Sequence, residues 1–423
     1  MKTIILAAAL AASAVSALAG LPAGRGEITA NVTGTATYDS NVFGTPDPID
    51  DWSALLIPRL SYTRKSGLIE ADANAGISII RYRDLTQLNA DNLDGSATLR
   101  ITDSDIRNYS GMLSVVYREA SDLNTDLNTR LNTTTTVYTA RSALISGPRS
   151  NIAISGTYTD NRISTGNDQQ ILTSEALYDY KDFFYGNSLR LVGSYDQLQS
   201  AGDNALGVPV NQNSYVLSAG LGRALYHNLL RGGLSYGYRV LHRSAAETRA
   251  SGGLETRSGY VIGASLEGPF LPERYFPKVT SLFSLSYQDA ATPGIYDTGQ
   301  KVLTGHLGLA WQARPNTSAK FSVDRVQRLA VNDLSVVTTT VLLGLEQTLR
   351  LHLTGNLSAG YDWSMYRSLG REDRTTTYNA GLRYDFARVW NAHLSSIYTS
   401  TKSTIPRSTY DRFVTSLSVS RDF

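Results

Sequence analysis

The sequence reads as an all-β chain that crosses a membrane as one antiparallel β-barrel of about 20 strands, or about 18 if one weak segment is a loop. Three observations predict this. Apolar and polar residues alternate with period two from Ile28 almost to the end, connections alternate between short and long, and the last segment ends on Phe423.

The alternation is clear in the first segment. Ile28, Ala30, Val32, Gly34, Ala36 and Tyr38 share one face, and Thr29, Asn31, Thr33, Thr35 and Thr37 share the other. Only a strand puts residues i and i+2 on the same side. Tyr109, Gly111, Leu113, Val115 and Tyr117 repeat the pattern against Met112, Ser114 and Arg118, and Leu353, Leu357, Ala359, Tyr361 and Trp363 repeat it against Thr354, Asn356, Ser358 and Asp362. Short connections (Arg64 to Gly67, Ser146 to Ser150, Arg314 to Asn316, Arg388 to Trp390) alternate with long ones (Asp39 to Asp50, Ala120 to Leu131, Gln199 to Val210, Ala290 to Gly299). Transmembrane barrels have this asymmetry, with tight periplasmic turns and longer external loops. An even strand number places both termini in the periplasm, and lipid-exposed backbone requires the sheet to close on itself.

The N-terminus has the order of an export signal. Met1-Lys2 precede an apolar run from Thr3 to Val15, and Ser16-Ala17-Leu18-Ala19 gives an Ala-x-Ala end, so cleavage is expected after Ala19. The expected organisation is a signal peptide over 1–19, a periplasmic lead over 20–26 and the barrel over 27–423. The first run is too short for a spanning helix, and no later stretch offers 18 or more apolar residues. With 0 Cys the chain has neither disulfides nor a thiol to carry a lipid. A net charge of +2 argues against a nucleic-acid binder. No Pro-rich, Ser-rich or charged linker divides the chain.

Tyrosines (25, against 10 Phe and 4 Trp) concentrate near segment ends, as expected for aromatic girdles at the two interfaces. In the last segment Phe413, Thr415, Leu417, Val419, Arg421 and Phe423 form the outward set. Phe413, Leu417, Val419 and Phe423 resemble the terminal strand read by the outer-membrane assembly machinery. Arg421 departs from that pattern, and its head is expected to snorkel to the interface.

Thr35-Ala36-Thr37-Tyr38-Asp39-Ser40-Asn41-Val42-Phe43 resembles the opening of a family of outer-membrane β-barrel porins often encoded beside exopolysaccharide genes. The resemblance implies a wide barrel, a channel that exports polysaccharide, a periplasmic polysaccharide-export partner, and no family-wide catalytic residues. Physically, Asp39-Ser40-Asn41 is turn chemistry, and the reading favoured here is a loop anchor over a ligand contact.

His227, His242, His306, His352 and His393 are scattered, without metal-site spacing, and no nucleophile, zincin or phosphate-loop motif occurs. No enzyme, metal or cofactor is expected. The informative surface is the lumen. With the apolar parity facing lipid, Arg100, Arg118, Arg141, Arg190, Arg239, Asp324, Arg328, Asp362, Arg383 and Asp385 point inward, with Glu70, Asp72, Asp196 and Arg412. Their mixed signs favour an internally paired, solvated wall over a selectivity ladder.

Twenty strands imply a backbone diameter of roughly 40 Å, so a constriction is expected, from side chains, an infolded loop or a partner. Two segments are candidates. Leu123, Leu127 and Leu131 recur every four residues in a tandem Leu-Asn-Thr repeat, read as a polar external loop or one helical turn. The Pro-rich stretch 268–277 either braces the rim or, through Phe270, Leu271, Tyr275 and Phe276, docks a periplasmic partner. The functional expectation is a channel in the Gram-negative outer membrane, among phospholipid and lipopolysaccharide, for polysaccharide export or passive diffusion of solutes. The alternative is a structural or adhesive barrel whose external loops bind a ligand.

Overall fold

The computed structural model describes residues 21–423 except 24, 66, 103–107, 125–128, 165–167, 202–207, 226–229, 252–253, 270–277, 290–300, 330–334 and 367–369. The expected signal peptide and the segment carrying Phe270, Leu271, Tyr275 and Phe276 therefore lie outside the described residues.

The strands are β1 (Leu21–Ala23), β2 (Gly26–Asp39), β3 (Asp51–Arg64), β4 (Ile69–Tyr82), β5 (Ala90–Thr102), β6 (Tyr109–Asn124), β7 (Thr129–Gly147), β8 (Ser150–Ile163), β9 (Gln169–Phe184), β10 (Asn187–Ser200) and β11 (Val210–Leu225). They continue with β12 (Leu230–Arg243), the short helix α1 (Ala245–Ser251), β13 (Thr256–Glu267), β14 (Val279–Gln288), β15 (Val302–Arg314), β16 (Thr317–Leu329), β17 (Ser335–Arg350), β18 (Leu353–Tyr366), β19 (Arg371–Ala387), β20 (Trp390–Ser403) and β21 (Tyr410–Asp422). From β2 onward each strand pairs antiparallel with the next, and β21 returns to β2 between Asn31↔Asp422 and Asp39↔Val414. β2 to β21 thus form a closed barrel of twenty strands, the fold that the alternation predicts.

The seam has an added element. β21 runs out at Phe423, whose N–H donates to the Ala30 carbonyl at 2.8 Å, and β1 pairs with β2 just beyond, from Leu21↔Ile28 to Ala23↔Gly26. Backbone that the last strand leaves uncovered is therefore paired by the chain's own lead, which leaves less open edge.

Carried around the circle, the pair registers accumulate an offset of about 24 residues. With a rise near 3.3 Å and a strand spacing near 4.8 Å, that shear gives a tilt of roughly 40° and a diameter of roughly 40 Å. Even-numbered strands from β2 rise from the end with short turns, and both the start of β2 and the end of β21 lie there.

Register also fixes the faces, because paired residues share a side. Leu99↔Leu113, Leu217↔Tyr238, Leu345↔Leu357 and Leu394↔Leu417 form an exposed apolar belt. On β21 the belt lies between Asp411 and Arg421, and ten residues at this tilt span about 25 Å, the height of a lipid-facing band. Aromatic pairs bound it. Tyr38–Trp52, Tyr138–Tyr158, Tyr195–Tyr215 and Tyr378–Tyr398 mark the loop end, with ring centroids 5.0–6.5 Å apart. Tyr384, Phe386 and Trp390 stack in series at the turn end. Arg421, the exception in the terminal strand, lies over the Trp390 ring at 5.2 Å and the Phe423 ring at 4.4 Å, so its charge is held at the interface by aromatic faces.

One expected loop is corrected. Ala120 to Asn124 and Thr129 to Leu131 form a paired ribbon, with Ser121↔Asn132, Asp122↔Leu131, Leu123↔Arg130 and Asn124↔Thr129, so Leu123 and Leu131 lie on strands and not on a helical turn, while Leu127 lies outside the described residues. Asn and Thr are poor helix formers, and antiparallel pairing satisfies the backbone without one.

Candidate functional site: the lumen and its mouth

The parity opposite the apolar belt lines the concave side of the barrel. A groove of about 970 Å³ runs along the inner wall from β9 to β16, over Ser188, Gly220, Gly233, Ser235, Ser265 and Ser286, with Arg190 and Asp179 at one flank and His306 and Asp324 at the other. Hydroxyl pairs satisfy much of the wall elsewhere, including Thr35 with Ser418 at 2.8 Å, Ser395 with Ser416 at 2.7 Å and Thr98 with Ser114 at 3.0 Å.

The predicted lumen residues all fall on this parity, but they do not converge. Arg190 donates to Asp179 at 2.8 Å, Arg383 to Asp385 at 3.1 Å, and Arg239 to the Gln288 amide oxygen at 3.0 Å. Arg100 pairs with Asp72, His306 with Asp324, and Thr340 donates to Asp362. Arg328 donates to Thr338 at 3.4 Å. Arg118 stands opposite Asp94, which is already bound to Arg59 at 2.5 Å across Gly76. Among the described residues Arg118 and Arg141 make no ion pair. Most of these charges are thus neutralised by a near neighbour, as a solvated wall requires, and no ladder of one sign forms.

The loop end is different, because the polar parity there carries apolar side chains. Leu198 and Val210, with Ile171 against them, form one buried cluster with Val336 and Tyr366, so residues of β9–β11 meet residues of β17–β18, well separated around the wall. Arg371 lies 4.6 Å above the Tyr366 ring and pairs with Asp373 at 2.6 Å, both carrying less than a tenth of their free exposure. Beside this cluster α1 puts Glu247 against Gln212 and 3.7 Å from Arg243, all three buried.

A third element is the turn after β2. Asp39 accepts the Asn41 N–H at 3.0 Å and the Arg412 guanidinium at 2.6 and 3.0 Å. Ser40 Oγ accepts the Phe413 N–H at 2.7 Å, and Asn41 Nδ2 donates to the carbonyls of Thr45 at 2.8 Å and Asp411 at 3.1 Å. Asp39-Ser40-Asn41 is therefore a clasp between the first and last strands, the loop anchor expected of it. Val42 is fully buried, and its carbonyl accepts from Arg130 at 3.4 Å, while Arg130 also lies 5.4 Å from the Tyr82 ring. Gly44, at φ 60, packs against Leu123, so the paired ends of β6 and β7 are locked to this turn.

This mouth was missed from sequence, although a signal existed. Ile171, Leu198, Val210, Leu241, Val302 and Val336 sit on the polar parity near loop ends, where a solvated wall has no use for them. Among the described residues no His, Asp or Glu group has the arrangement of a metal site.

Comparison with known proteins places this geometry. The family described as "Putative beta-barrel porin 2" matches residues 300–423. No curated protein matches the sequence. Among solved structures, the FrpB iron transporter of Neisseria meningitidis is 10% identical with a TM-score of 0.56, over 96% of this chain and 82% of that one. The ferric-catecholate import receptor Fiu of E. coli is 10% identical with a TM-score of 0.53, over 93% and 81%. The outer membrane protein opdK of Pseudomonas aeruginosa is 11% identical with a TM-score of 0.43, over 94% and 99%. At identities this low, FrpB and Fiu speak for the barrel alone. The family match over residues 300–423 and the closed barrel agree on an outer-membrane β-barrel that is similar to porins.

Proposed function

We propose that this porin-like outer-membrane barrel is an aqueous channel that passes polar solutes by size and wall chemistry, with no covalent step. One observation carries the reading: hydroxyl and ion pairs line much of the inner wall along the barrel, while the buried apolar cluster found among the described residues lies at the loop end. A wall whose own hydroxyls and charges are paired holds solutes weakly, which conduction requires. In this reading the turn end and both termini face the periplasm, and the terminal strand with Phe413, Leu417, Val419 and Phe423 is the assembly signal.

The reading extends to export of a polysaccharide handed over by a periplasmic partner. The groove floor between the Arg190 and His306 flanks is mostly Ser and Gly, and its inward charges there, Arg231 and Glu267, stand opposite each other and cancel, which suits a neutral, hydroxyl-rich chain better than an anionic one. The adhesive alternative gains less support, because Leu123 and Arg130 at the paired ends of β6 and β7 are engaged by the turn after β2. Swelling of vesicles loaded with the purified chain tests the proposal. Neutral sugars should enter faster than anionic solutes of equal size, and vesicles that exclude every solute would overturn it.

A further inference from the structure

The outer face carries different charge at its two ends. At the loop end, most described charges on this face have partners: Arg81 with Asp91 at 2.6 Å, Arg374 with Glu372 at 2.6 Å, Arg162 with Asp160 at 3.3 Å, Glu119 with the Tyr117 hydroxyl at 2.6 Å, and Arg325 with the Leu303 carbonyl at 3.0 Å, while Lys402 stands opposite Arg374. At the turn end, register places Arg64 (opposite Ala71), Arg223 (opposite Gly232), Arg314 (opposite Thr317), Arg350 (opposite Leu353) and Arg421 (opposite Trp390) on the outer parity. Among the described residues, none of these five makes an ion pair or a guanidinium hydrogen bond, and the Arg64 Nε is buried without an acceptor. All but Arg64 are exposed.

Among the described residues, the strand acids at the same level lie on the other side of the wall. Glu27, Glu70, Glu267, Glu346 and Asp385 have lumen parity, and so does Asp422, which accepts from Asn31. Asp182 is 3.9 Å from Arg149. The five arginines are spread over β3, β11, β15, β17 and β21, at the height of Trp311, Tyr384, Trp390 and Phe423. They span the arc from β11 through β21 to β3, more than half of the circumference, which one docked protein would not cover and the lipid annulus does.

We infer that Arg64, Arg223, Arg314, Arg350 and Arg421 form a girdle that binds the phosphates of anionic glycerophospholipids in the leaflet at the turn end. Guanidinium suits the task, since it grips phosphate with two parallel N–H donors while its stem lies in the apolar zone. The inference needs the barrel to sit in a membrane and is independent of whether it conducts.

The four tryptophans provide the test, because Trp311 and Trp390 report the turn end and Trp52 and Trp363 the loop end. The full chain is reconstituted in phosphatidylcholine vesicles with brominated phosphatidylglycerol or brominated phosphatidylcholine, and quenching is read in W52F/W363F and in W311F/W390F. At the turn end the phosphatidylglycerol should associate about threefold to fivefold more strongly, and at the loop end about equally. Replacing the five arginines by Gln should bring the turn-end ratio to about one, replacement by Lys should keep most of it, and added salt should lower it. A turn-end ratio near one, or one unchanged in the Gln variant, overturns the inference. If the Gln variant does not fold, R223Q/R350Q and the salt series decide, and a ratio unmoved by both overturns it.

Discussion

Removing the carboxylate of Asp39 should loosen the seam and the mouth together. Asp39 is 6% exposed and holds Arg412 by a two-point contact while ordering Asn41 through its N–H. Asp39→Ala leaves the guanidinium without its counter-ion at a site where that side chain is only a quarter exposed. Breaking a fully buried pair from one side costs about 3–5 kcal/mol, and the exposure of Arg412 lowers this to roughly 2–3 kcal/mol. The double replacement D39A/R412A should cost less than the sum of the single ones, with a coupling of about 1–2 kcal/mol. The assay is urea unfolding of the barrel in vesicles, followed by its heat-dependent mobility on a gel. The same variants should raise permeability, because the turn carrying Val42 and Gly44 then releases Arg130 and Leu123. A single-variant loss under about 0.5 kcal/mol, or additivity in the cycle, would refute the clasp.

Other outcomes follow from the same geometry. Deleting Phe423 removes its N–H bond to Ala30 and one stacking face for Arg421, and should sharply lower the yield of heat-modifiable barrel in assembly assays. Gly76→Val would set a Cβ 3.1 Å from the Asp94 carboxylate and 3.3 Å from Arg59, so it should separate that pair and cost about 1 kcal/mol in the same unfolding assay. Arg190→Glu with Arg239→Glu makes the lumen more acidic, and reversal potentials under a salt gradient should shift toward cation selectivity; an unchanged potential would place these residues outside the ion path.

Much of the fold was legible because a one-residue slip would turn a whole strand inside out, so the alternation fixes faces strongly. It put Arg190, Arg239 and Asp324 on the parity opposite the apolar belt, and it read Asp39-Ser40-Asn41 as an anchor. What it lacked was the third dimension. Nothing local says that Leu198 will meet Val336, since closure of the sheet decides which loop ends face each other. The ribbon at Leu123 and Leu131 was hidden for another reason: a spacing of four residues fits a helix and a strand face equally well, and only pairing partners separate the two. The partner of Asp39 is Arg412, at the far end of the chain, so the clasp could be seen as a turn but not as a seam.

Single-channel current across a planar bilayer tests the central claim most directly, with the wild-type chain compared against Val336→Asp. A charge in the apolar contact between β9–β11 and β17–β18 should part it. The account predicts small conductance steps for the wild type and severalfold larger ones for the variant. Folded, inserted barrels of both that carry no current would contradict it.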